Sequence, residues 1–229
     1  MILGIYSDLH SNYPALQSME GIAGEVDEWV ALGDSVGLFP DVNGVLDWQR
    51  RNQTHYVLGD HEEALIYGRD LEGSQSATES IKNQSRVLSI ENREMLQNLK
   101  LAEDISSGGL KIRLTHFLSP ESRQQDTKYS LDVSALEQIY EGYDFVLFGH
   151  THLRTVIYGK KTIFINPGSA GFPVDVGHQC SMVTLDTVSR LFHFTLFNYD
   201  SGALVKSLEK HNYNPRFTQY INNGHSWPQ

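Results

Sequence analysis

The chain has 229 residues, of which 40% are hydrophobic and 20% are charged, and its formal net charge at pH 7 is −10. This composition is typical of a soluble globular protein with one large domain or two small ones. The acidic balance argues against a surface that coats nucleic acid, whereas a phosphate-bearing substrate stays possible because bound cations can reverse the local field.

No targeting signal is evident in the sequence. Cys180 is the single cysteine, so no internal disulfide can form and a reducing compartment is favoured. The first residues, MILGIYSDLH, lack the basic segment and long apolar core of a signal peptide. No stretch approaches the roughly 18 apolar residues of a membrane span. We therefore expect a cytoplasmic protein that has no membrane partner.

The first 60 residues alternate between predicted strands and helices. The predicted strands cover 1–7, 28–33 and 55–59, and the predicted helices cover 11–25 and 40–51. Asn12 is the expected N-cap of the first helix. This alternation predicts a mostly parallel sheet with covering helices.

Residues 62–100 are polar and have helical spacing, which predicts two or three helices packed on one side of the sheet. Ser76 and Glu79 have capping-box spacing and predict the start of one of them. Further strands are predicted at 111–117, 144–152, 154–159, 161–166, 181–186 and 191–198, with a short helix at 134–142. The tail from His211 is polar, which favours an irregular surface arm over a partner-binding arm.

Five predicted strand ends carry acids or imidazoles. In chain order these residues are Asp8 and His10, Asp34, Asp60 and His61, His116, and His150 and His152. Each motif alone is ordinary turn chemistry or a structural histidine. However, ligands collect beyond the carboxyl ends of parallel strands, and Asp oxygens and His nitrogens bind zinc, manganese or iron. The ordered set therefore predicts a metal site, in which two ions would need a shared carboxylate.

The order Asp-x-His, Gly-Asp, Gly-Asp-His-Glu, His, Gly-His-Thr-His resembles the signature of the calcineurin-like metallophosphoesterases. The segments SDLHSNYPAL, GDSVGLFPDVNGVLDW, GDHEEAL, GHTH and NPGSAGFPVD are similar to the small prokaryotic branch described as predicted phosphodiesterases. The resemblance covers nearly the whole chain. It implies an α/β fold, a four-layer α/β/β/α sandwich of two mixed sheets. We expect a single domain at 1–210 with a helical insert at about 62–100, followed by a polar tail at 211–229.

The resemblance also implies a role for each motif residue. One metal would be bound by Asp8, His10 and His152, the other by Asp60, His116 and His150, and Asp34 would bridge the two. His61 would lie near the leaving-group oxygen, to stabilise its charge or donate a proton. The expected cofactors are two divalent ions (Mn²⁺, Fe²⁺/Fe³⁺, Ni²⁺ or Zn²⁺). The implied reaction is attack of a metal-bridging hydroxide on a small phosphomonoester or phosphodiester, for which we expect a nucleotide-like compound.

The sequence departs from the family pattern at several positions. Asp60 stands where the family usually has Asn, which lowers the formal charge of two ions and their carboxylates from about +2 to about +1. Asp60 would then hold its metal more tightly and attract anionic substrate less; the alternative is a tolerated oxygen ligand of little consequence. Ser11 replaces a frequent Gly, and Val174 replaces an Arg that could hold phosphate.

Residues GDSVGLF lack the Asp-Arg-Gly ending seen in the protein Ser/Thr phosphatases and the symmetrical dinucleoside tetraphosphate hydrolases. This departure weakens both substrate assignments and removes an acidic partner for the imidazole. Glu62 or Glu63 could replace that partner, but capping of the following helix is the favoured role for them.

Three functions are compatible with these motifs. A phosphoric ester hydrolase is favoured, because every motif residue is present. A non-catalytic metal-binding scaffold on the same fold is the alternative, as in the retromer scaffold subunit. A nuclease is disfavoured by the acidic balance.

The helical insert could restrict the crevice to small substrates or form a plain structural layer. Nothing in the sequence marks an oligomeric interface.

Overall fold

A computed structural model describes residues 1–71, 74–118, 132–174 and 177–224. The strands in these ranges are β1 (Ile2–Tyr6), β2 (Glu28–Ala31), β3 (His55–Tyr56), β4 (Ala102–Ser107), β5 (Leu110–Thr115), β6 (Phe145–Leu147), β7 (Arg154–Tyr158), β8 (Ile163–Pro167), β9 (Cys180–Asp186) and β10 (Phe192–Phe197). The helices are α1 (Tyr13–Ile22), α2 (Val42–Arg51), α3 (Asp60–Tyr67), α4 (Gln75–Val87), α5 (Ile90–Gln97), α6 (Val133–Ile139), α7 (Ser201–Lys210) and α8 (Pro215–Asn222). Within the described ranges, no helix has the length and apolarity needed to cross a lipid bilayer.

The strands form two mixed five-stranded sheets. The first has the order β10-β9-β1-β2-β3, with β1, β2 and β3 parallel and β9 and β10 antiparallel to their neighbours. The second has the order β4-β5-β6-β8-β7, with β5, β6 and β8 parallel and both edge strands antiparallel. Two mixed sheets flanked by helices confirm the predicted α/β sandwich.

The two sheets share one hydrophobic core. Alternate residues of the strands face it, for example Leu3 and Ile5 on β1, which are fully buried against residues such as Ile112 and Leu147 of the second sheet. Complete burial of one such side chain contributes about 1.5–3 kcal/mol. This core fixes the two sheets face to face, so the loops beyond their parallel strands have fixed relative positions.

The helices of the first half cover the outer face of the first sheet. Leu16 and Met19 of α1 pack there in one cluster with Tyr6 and Trp48. The prediction that Asn12 caps α1 is confirmed, because its side chain accepts a hydrogen bond of 3.1 Å from the backbone N–H of Ala15.

The predicted helices between 62 and 100 are confirmed by α3, α4 and α5. The predicted capping box is wrong, because α4 begins at Gln75 and Ser74 caps it by accepting from the N–H of Ala77. The hydroxyl of Ser74 lies at the required distance from the first turn, whereas Ser76 is already within the helix.

The C-terminal region forms a helical pair. The prediction of an irregular arm is wrong for Pro215–Asn222, which form α8. Phe217, Tyr220 and Ile221 recur at helical spacing and are buried with Leu204 and Leu208 of α7. The burial of these residues makes the pair part of the folded body, while residues 225–229 lie outside the described part of the chain.

Candidate metal centre

The predicted site residues follow the parallel strands of both sheets. Asp8 and His10 lie in the loop after β1 and Asp34 in the loop after β2, while Asp60 and His61 begin α3 after β3. The segments after β5 and β6 carry His116, His150 and His152. The structure brings all eight side chains together, in overlapping groups whose possible ligand atoms lie within 4.8 Å of one another. The convergence has a simple cause, since the carboxyl ends of parallel strands meet at one edge of each sheet.

The first group consists of Asp8, His10 and His152. The Nε2 atoms of the two histidines are 3.1 Å apart, and Nε2 of His152 is 3.3 Å from Oδ1 of Asp8. The Nδ1 atom of His10 is 3.2 Å from the carbonyl oxygen of Val36, and Nδ1 of His152 is 2.7 Å from that of Phe172. A carbonyl only accepts, so each Nδ1 carries a hydrogen and Nε2 is the atom that each ring turns to the group.

The second group consists of Asp60, His116 and His150. Oδ1 of Asp60 is 3.3 Å from Nε2 of His116 and 3.3 Å from Nδ1 of His150. Nδ1 of His116 donates to the carbonyl oxygen of Leu32 at 2.6 Å, so Nε2 is the atom that the ring turns towards Asp60 and that a cation would contact. A backbone carbonyl that fixes the tautomer of an imidazole is a common support of metal-ligating histidines.

Asp34 lies between the two groups. Its Oδ2 atom is 3.5 Å from Nε2 of His116, and its carboxylate belongs both to a group with Asp8 and His116 and to a group with His10 and His61. The side chain is 2% exposed, so it is held away from bulk water. Asp34 is therefore placed to contact cations in either group.

The donor set fits divalent cations. Carboxylate oxygens and imidazole Nε2 atoms face one another at 3.1–3.5 Å across the site. Both carboxylate oxygens of Asp8 are buried and have no hydrogen-bond partner among the described residues. The charge of this carboxylate is offset in part by the imidazole of His152, 3.3 Å from Oδ1, and a bound cation would offset it further. Mixed imidazole and carboxylate donors suit zinc, manganese, iron or nickel.

The electrostatics of the site favour a cation. Burial alone would raise the pKa of Asp8, but the nearby imidazole of His152 holds it below its usual range. Burial alone would lower the pKa of His116, but Asp34 and Asp60 raise it well above 6.5. Burial, with repulsion from His61 and His152, lowers the pKa of His10 to about 3 and keeps it a neutral donor. The negative potential that pulls a proton onto His116 would equally attract a metal ion.

The backbone at these positions is unusual. Asp8, His10, Asp34, His150 and His152 have φ angles of 54°, 52°, 51°, 70° and 58°, in the left-handed region. Asp and His enter this region more readily than most residues, yet each such position still costs roughly 1 kcal/mol or more. The chain tolerates the cost because backbone hydrogen bonds hold these loops, for example Asp8 N to Gly33 O at 3.1 Å and His10 N to Asp34 O at 2.9 Å.

His61 lies beside these groups. It is the second residue of α3, its backbone N–H donates to Oδ1 of Asp34 at 3.0 Å, and its ring centroid is 4.5 Å from that of His10. Nδ1 of His61 is buried without a hydrogen-bond partner among the described residues. Gly37 packs against this ring with a φ of 90°, and a Cβ atom there would overlap the imidazole. The ring is therefore held close to the metal groups, with Nδ1 against Gly37 and Nε2 3.9 Å from Oδ2 of Asp34.

Comparison with known proteins identifies the family. Residues 1–190 match the model of the calcineurin-like phosphoesterase superfamily domain. The chain belongs to the calcineurin-like phosphoesterase superfamily. The match ends before α7 and α8, so this helical pair lies outside the matched superfamily domain.

Several solved structures share this fold. A metallophosphoesterase from Sphaerobacter thermophilus is 22% identical with a TM-score of 0.78, over 98% of this chain and all of that chain. A hypothetical protein from Pyrococcus horikoshii OT3 is 20% identical with a TM-score of 0.82, over 96% of this chain and 97% of that one. An archaeal phosphodiesterase is 18% identical with a TM-score of 0.53, over 86% of this chain and all of that chain. No curated protein matches the chain.

Glu62 holds together two of the loops that carry superfamily motifs. Its Oε2 accepts from the N–H groups of Asp34 (2.8 Å) and Gly59 (2.9 Å), and its Oε1 accepts from Val36 N–H (3.1 Å) and Tyr56 O–H (2.6 Å). The bond to Gly59 confirms the expected capping role. Burial and the charge of Asp34 raise the pKa of Glu62 to about 7. The three backbone N–H groups favour the ionised form in return, because an ionised carboxylate accepts hydrogen bonds at both oxygens.

The helical insert is also tied to the site. Gln84 of α4 is fully buried, accepts from Gly37 N–H at 2.9 Å, and places its amide nitrogen 2.6 Å from the carbonyl oxygen of Phe39 and 3.1 Å from the hydroxyl of Ser11. The insert thus fixes the loop that packs on His61. No sequence signal marks this contact, because Gln84 stands 47 residues from Gly37 in an otherwise polar helix.

Two departures from the superfamily pattern have structural consequences. Ser11 adopts a φ of 60°, which explains why Gly is frequent at this position in relatives. Val174, which stands in place of the Arg of a common form of this segment, is 47% exposed. Asp175, the last residue of the NPGSAGFPVD segment, lies outside the described residues.

Proposed function

We propose that this protein is a hydrolase of small phosphate esters that works with two divalent ions. The ions would be held by Asp8, His10 and His152, by Asp60, His116 and His150, and by Asp34 between them. The observation that carries the proposal is the convergence of imidazole lone pairs and carboxylate oxygens around Asp34. We expect action in the cytoplasm on a soluble phosphorylated compound, with manganese as the first ion to test.

The ions, when bound, would supply positive charge for the phosphoryl oxygens and would lower the pKa of water towards neutrality. The residues of the chain set up this chemistry. The carbonyl oxygens of Val36, Leu32 and Phe172 hold the hydrogen of three imidazoles on Nδ1, so that Nε2 would be the metal ligand. A histidine that binds an ion through Nε2 would be neutral, so the net charge of the loaded centre would depend on the ions and the aspartates.

His61 is proposed to assist the leaving group. Its ring contacts His10 at the edge of the centre, and its Nε2 atom lies 3.9 Å from Oδ2 of Asp34, so this nitrogen is the one on the side of the centre. Hydrolysis of an ester leaves an alkoxide oxygen that must gain a proton, and an imidazole can donate one near neutral pH. Among the described residues, Nδ1 of His61 has no acidic partner, and the carboxylate of Glu62 is engaged by backbone N–H groups and by the hydroxyl of Tyr56.

The test is hydrolysis of bis(4-nitrophenyl) phosphate and 4-nitrophenyl phosphate by the chelated protein, before and after addition of Mn²⁺, Ni²⁺ or Zn²⁺. The archaeal neighbour named a phosphodiesterase makes the diester the first substrate to measure. Metal-dependent turnover supports the proposal. Binding of ions without turnover of either ester would contradict it and favour the non-catalytic scaffold.

Replacement of His61 by alanine is expected to lower kcat by about a hundredfold or more, because general acid catalysis is removed. The metal content should remain about two ions per chain, since Asp34 and the other donors are untouched. Metal analysis and steady-state kinetics measure both quantities. Full activity of the variant would rule out the role proposed for His61.

Replacement of Asp60 by asparagine should raise the dissociation constant of the more weakly bound ion by about tenfold, because one negative charge beside His116 and His150 is removed. Phosphate should in turn bind more tightly, because the centre becomes more positive. Calorimetry measures both affinities, with Asp70→Asn as a control, since Asp70 is exposed and forms its ion pair with Lys82 at the protein surface. Unchanged or stronger metal retention would show that Asp60 is merely a tolerated ligand.

A further inference from the structure

Phe172 supports one side of the candidate metal centre through both its backbone and its ring. Its carbonyl oxygen accepts from Nδ1 of His152 at 2.7 Å, which fixes the direction in which Nε2 of that imidazole points. Its ring packs edge-to-face with two imidazoles, at centroid distances of 6.1 Å from His10 and 5.8 Å from His152. A displacement of Phe172 would therefore move the support of two proposed metal ligands.

Hydrogen bonds within the first 190 residues hold the backbone around Phe172. The hydroxyl of Ser169 accepts from the N–H of Phe172 at 2.7 Å and donates to the carbonyl oxygen of Asp8 at 2.7 Å. The carbonyl oxygen of Gly171 accepts from the side-chain amide of Asn12 at 2.8 Å. These bonds act on the backbone, so the ring of Phe172 needs other contacts to hold its position.

The ring of Phe172 packs against α8. Tyr220 stacks on it, with centroids 4.7 Å apart and an interplanar angle of 26°. The hydroxyl of Tyr220 donates to the carbonyl oxygen of Pro173, the next residue, at 3.0 Å. Tyr220 is 2% exposed and is packed in one cluster with residues of α7, so its own position is fixed. A side chain of α8 thus contacts the segment that orients His152.

We propose that Tyr220 is a positioning residue for the metal group of Asp8, His10 and His152, and that it acts through Phe172. The inference rests on the proposed two-ion hydrolase. Groups that orient a metal-ligating histidine change metal affinity by roughly 10–100-fold when they are replaced, and Tyr220 stands one contact further out. Because α8 lies beyond the matched residues 1–190, a segment outside the superfamily domain contributes to metal binding.

The test is calorimetric titration of the chelated protein with Mn²⁺, in the absence of any phosphate ester. Tyr220→Leu removes the stacked ring and the hydroxyl, and it should raise the dissociation constant of one ion by about tenfold. Tyr220→Phe retains the stack and loses the bond to Pro173, so it should raise the same constant by about threefold. The phenylalanine variant keeps the packing and decides the case if the leucine variant does not fold.

The second ion serves as an internal reference. The carbonyl oxygen of Leu32, in a different segment from Phe172, orients His116 in the other metal group. The ion held by that group should therefore bind to the Tyr220 variants as it binds to the wild type. The Asp60→Asn protein identifies its binding event, and a general loss of stability would not select between the two ions.

A double-mutant cycle tests whether Tyr220 acts through Phe172. Phe172→Leu should itself weaken the same ion by about tenfold, because it removes the ring that packs on His10 and His152. If the two aromatic residues act in series, the double variant should lose about tenfold rather than about a hundredfold. Urea unfolding of the chelated proteins confirms that each variant is folded.

Leu208→Ala is the matched control for stability, because Leu208 is 1% exposed in the same cluster but lies on α7. It should lower the urea midpoint and leave both metal dissociation constants unchanged. Equal weakening of metal binding by Leu208→Ala and Tyr220→Leu, unchanged affinity in the Tyr220 variants, or additive losses in the cycle would overturn the inference. Since binding is measured without an ester, failure of the hydrolase proposal appears separately, as two bound ions without turnover in the wild-type protein.

Discussion

Replacement of Asp34 by asparagine is expected to lower turnover by about a thousandfold, because it removes the carboxylate shared by both halves of the proposed metal centre. Asp34 Oδ2 lies 3.5 Å from Nε2 of His116, and the same side chain belongs to a group with His10 and His61. An amide supplies one neutral oxygen in place of two charged ones. The loss of one tightly held ion removes several kcal/mol of transition-state stabilisation, which corresponds to a thousandfold decrease in turnover.

The metal content of the Asp34→Asn protein should fall to about one ion per chain or fewer, while that of the His61→Ala protein should not. The fold should survive, because the amide oxygen can still accept from His61 N–H and the amide nitrogen can donate to the lone pair of His116. Thermal unfolding of the chelated proteins separates these effects. Two retained ions and near-normal turnover would show that Asp34 does not bridge.

Replacement of Glu62 by glutamine is expected to lower the free energy of unfolding by about 2–4 kcal/mol. The two carboxylate oxygens accept from three backbone N–H groups and from Tyr56, all of them buried. In either orientation, the amide of glutamine turns its own N–H groups towards at least one backbone donor. That donor then loses its partner inside the protein, where desolvation is not compensated.

Urea unfolding of the chelated protein measures this effect. Glu91→Gln is a suitable control, because Glu91 also stands in the first turn of a helix but is exposed, and it should change stability by about 0.5 kcal/mol or less. Equal midpoints for the two variants would mean that the Glu62 carboxylate does not stabilise the loops of Asp34 and Gly59.

The convergence of the site residues could be predicted from the sequence, because it depends on local rules. Asp8, Asp34 and His116 each follow an apolar strand, and parallel strands end at one edge. Such reasoning works without knowledge of long-range contacts.

The hydrogen bonds that hold the loops of the site in place could not be predicted in this way. Gln84 and the Val36 contact of Glu62 join segments that are 26 or more residues apart, and no local pattern marks them.

Some elements of the fold were missed for related reasons. β4 is an edge strand of polar residues such as Glu103 and Asp104, so its alternation is weak. α8 is short and polar on average, and its three apolar residues are visible as a helical face only when the partner helix α7 is known. The start of α4 was misplaced because two serines compete for the cap, and local spacing does not choose between them.

The donors of the candidate centre come from both sheets: Asp8, Asp34 and Asp60 follow strands of one, and His116 and His150 follow strands of the other. A cation held by both sets would act as a cross-link that spans the interface between the layers. The sandwich could then not open without release of the cation. Binding of the cation should therefore make the two sheets unfold in a single concerted transition. Removal of the cation by a chelator should first weaken the contact between the two sheets.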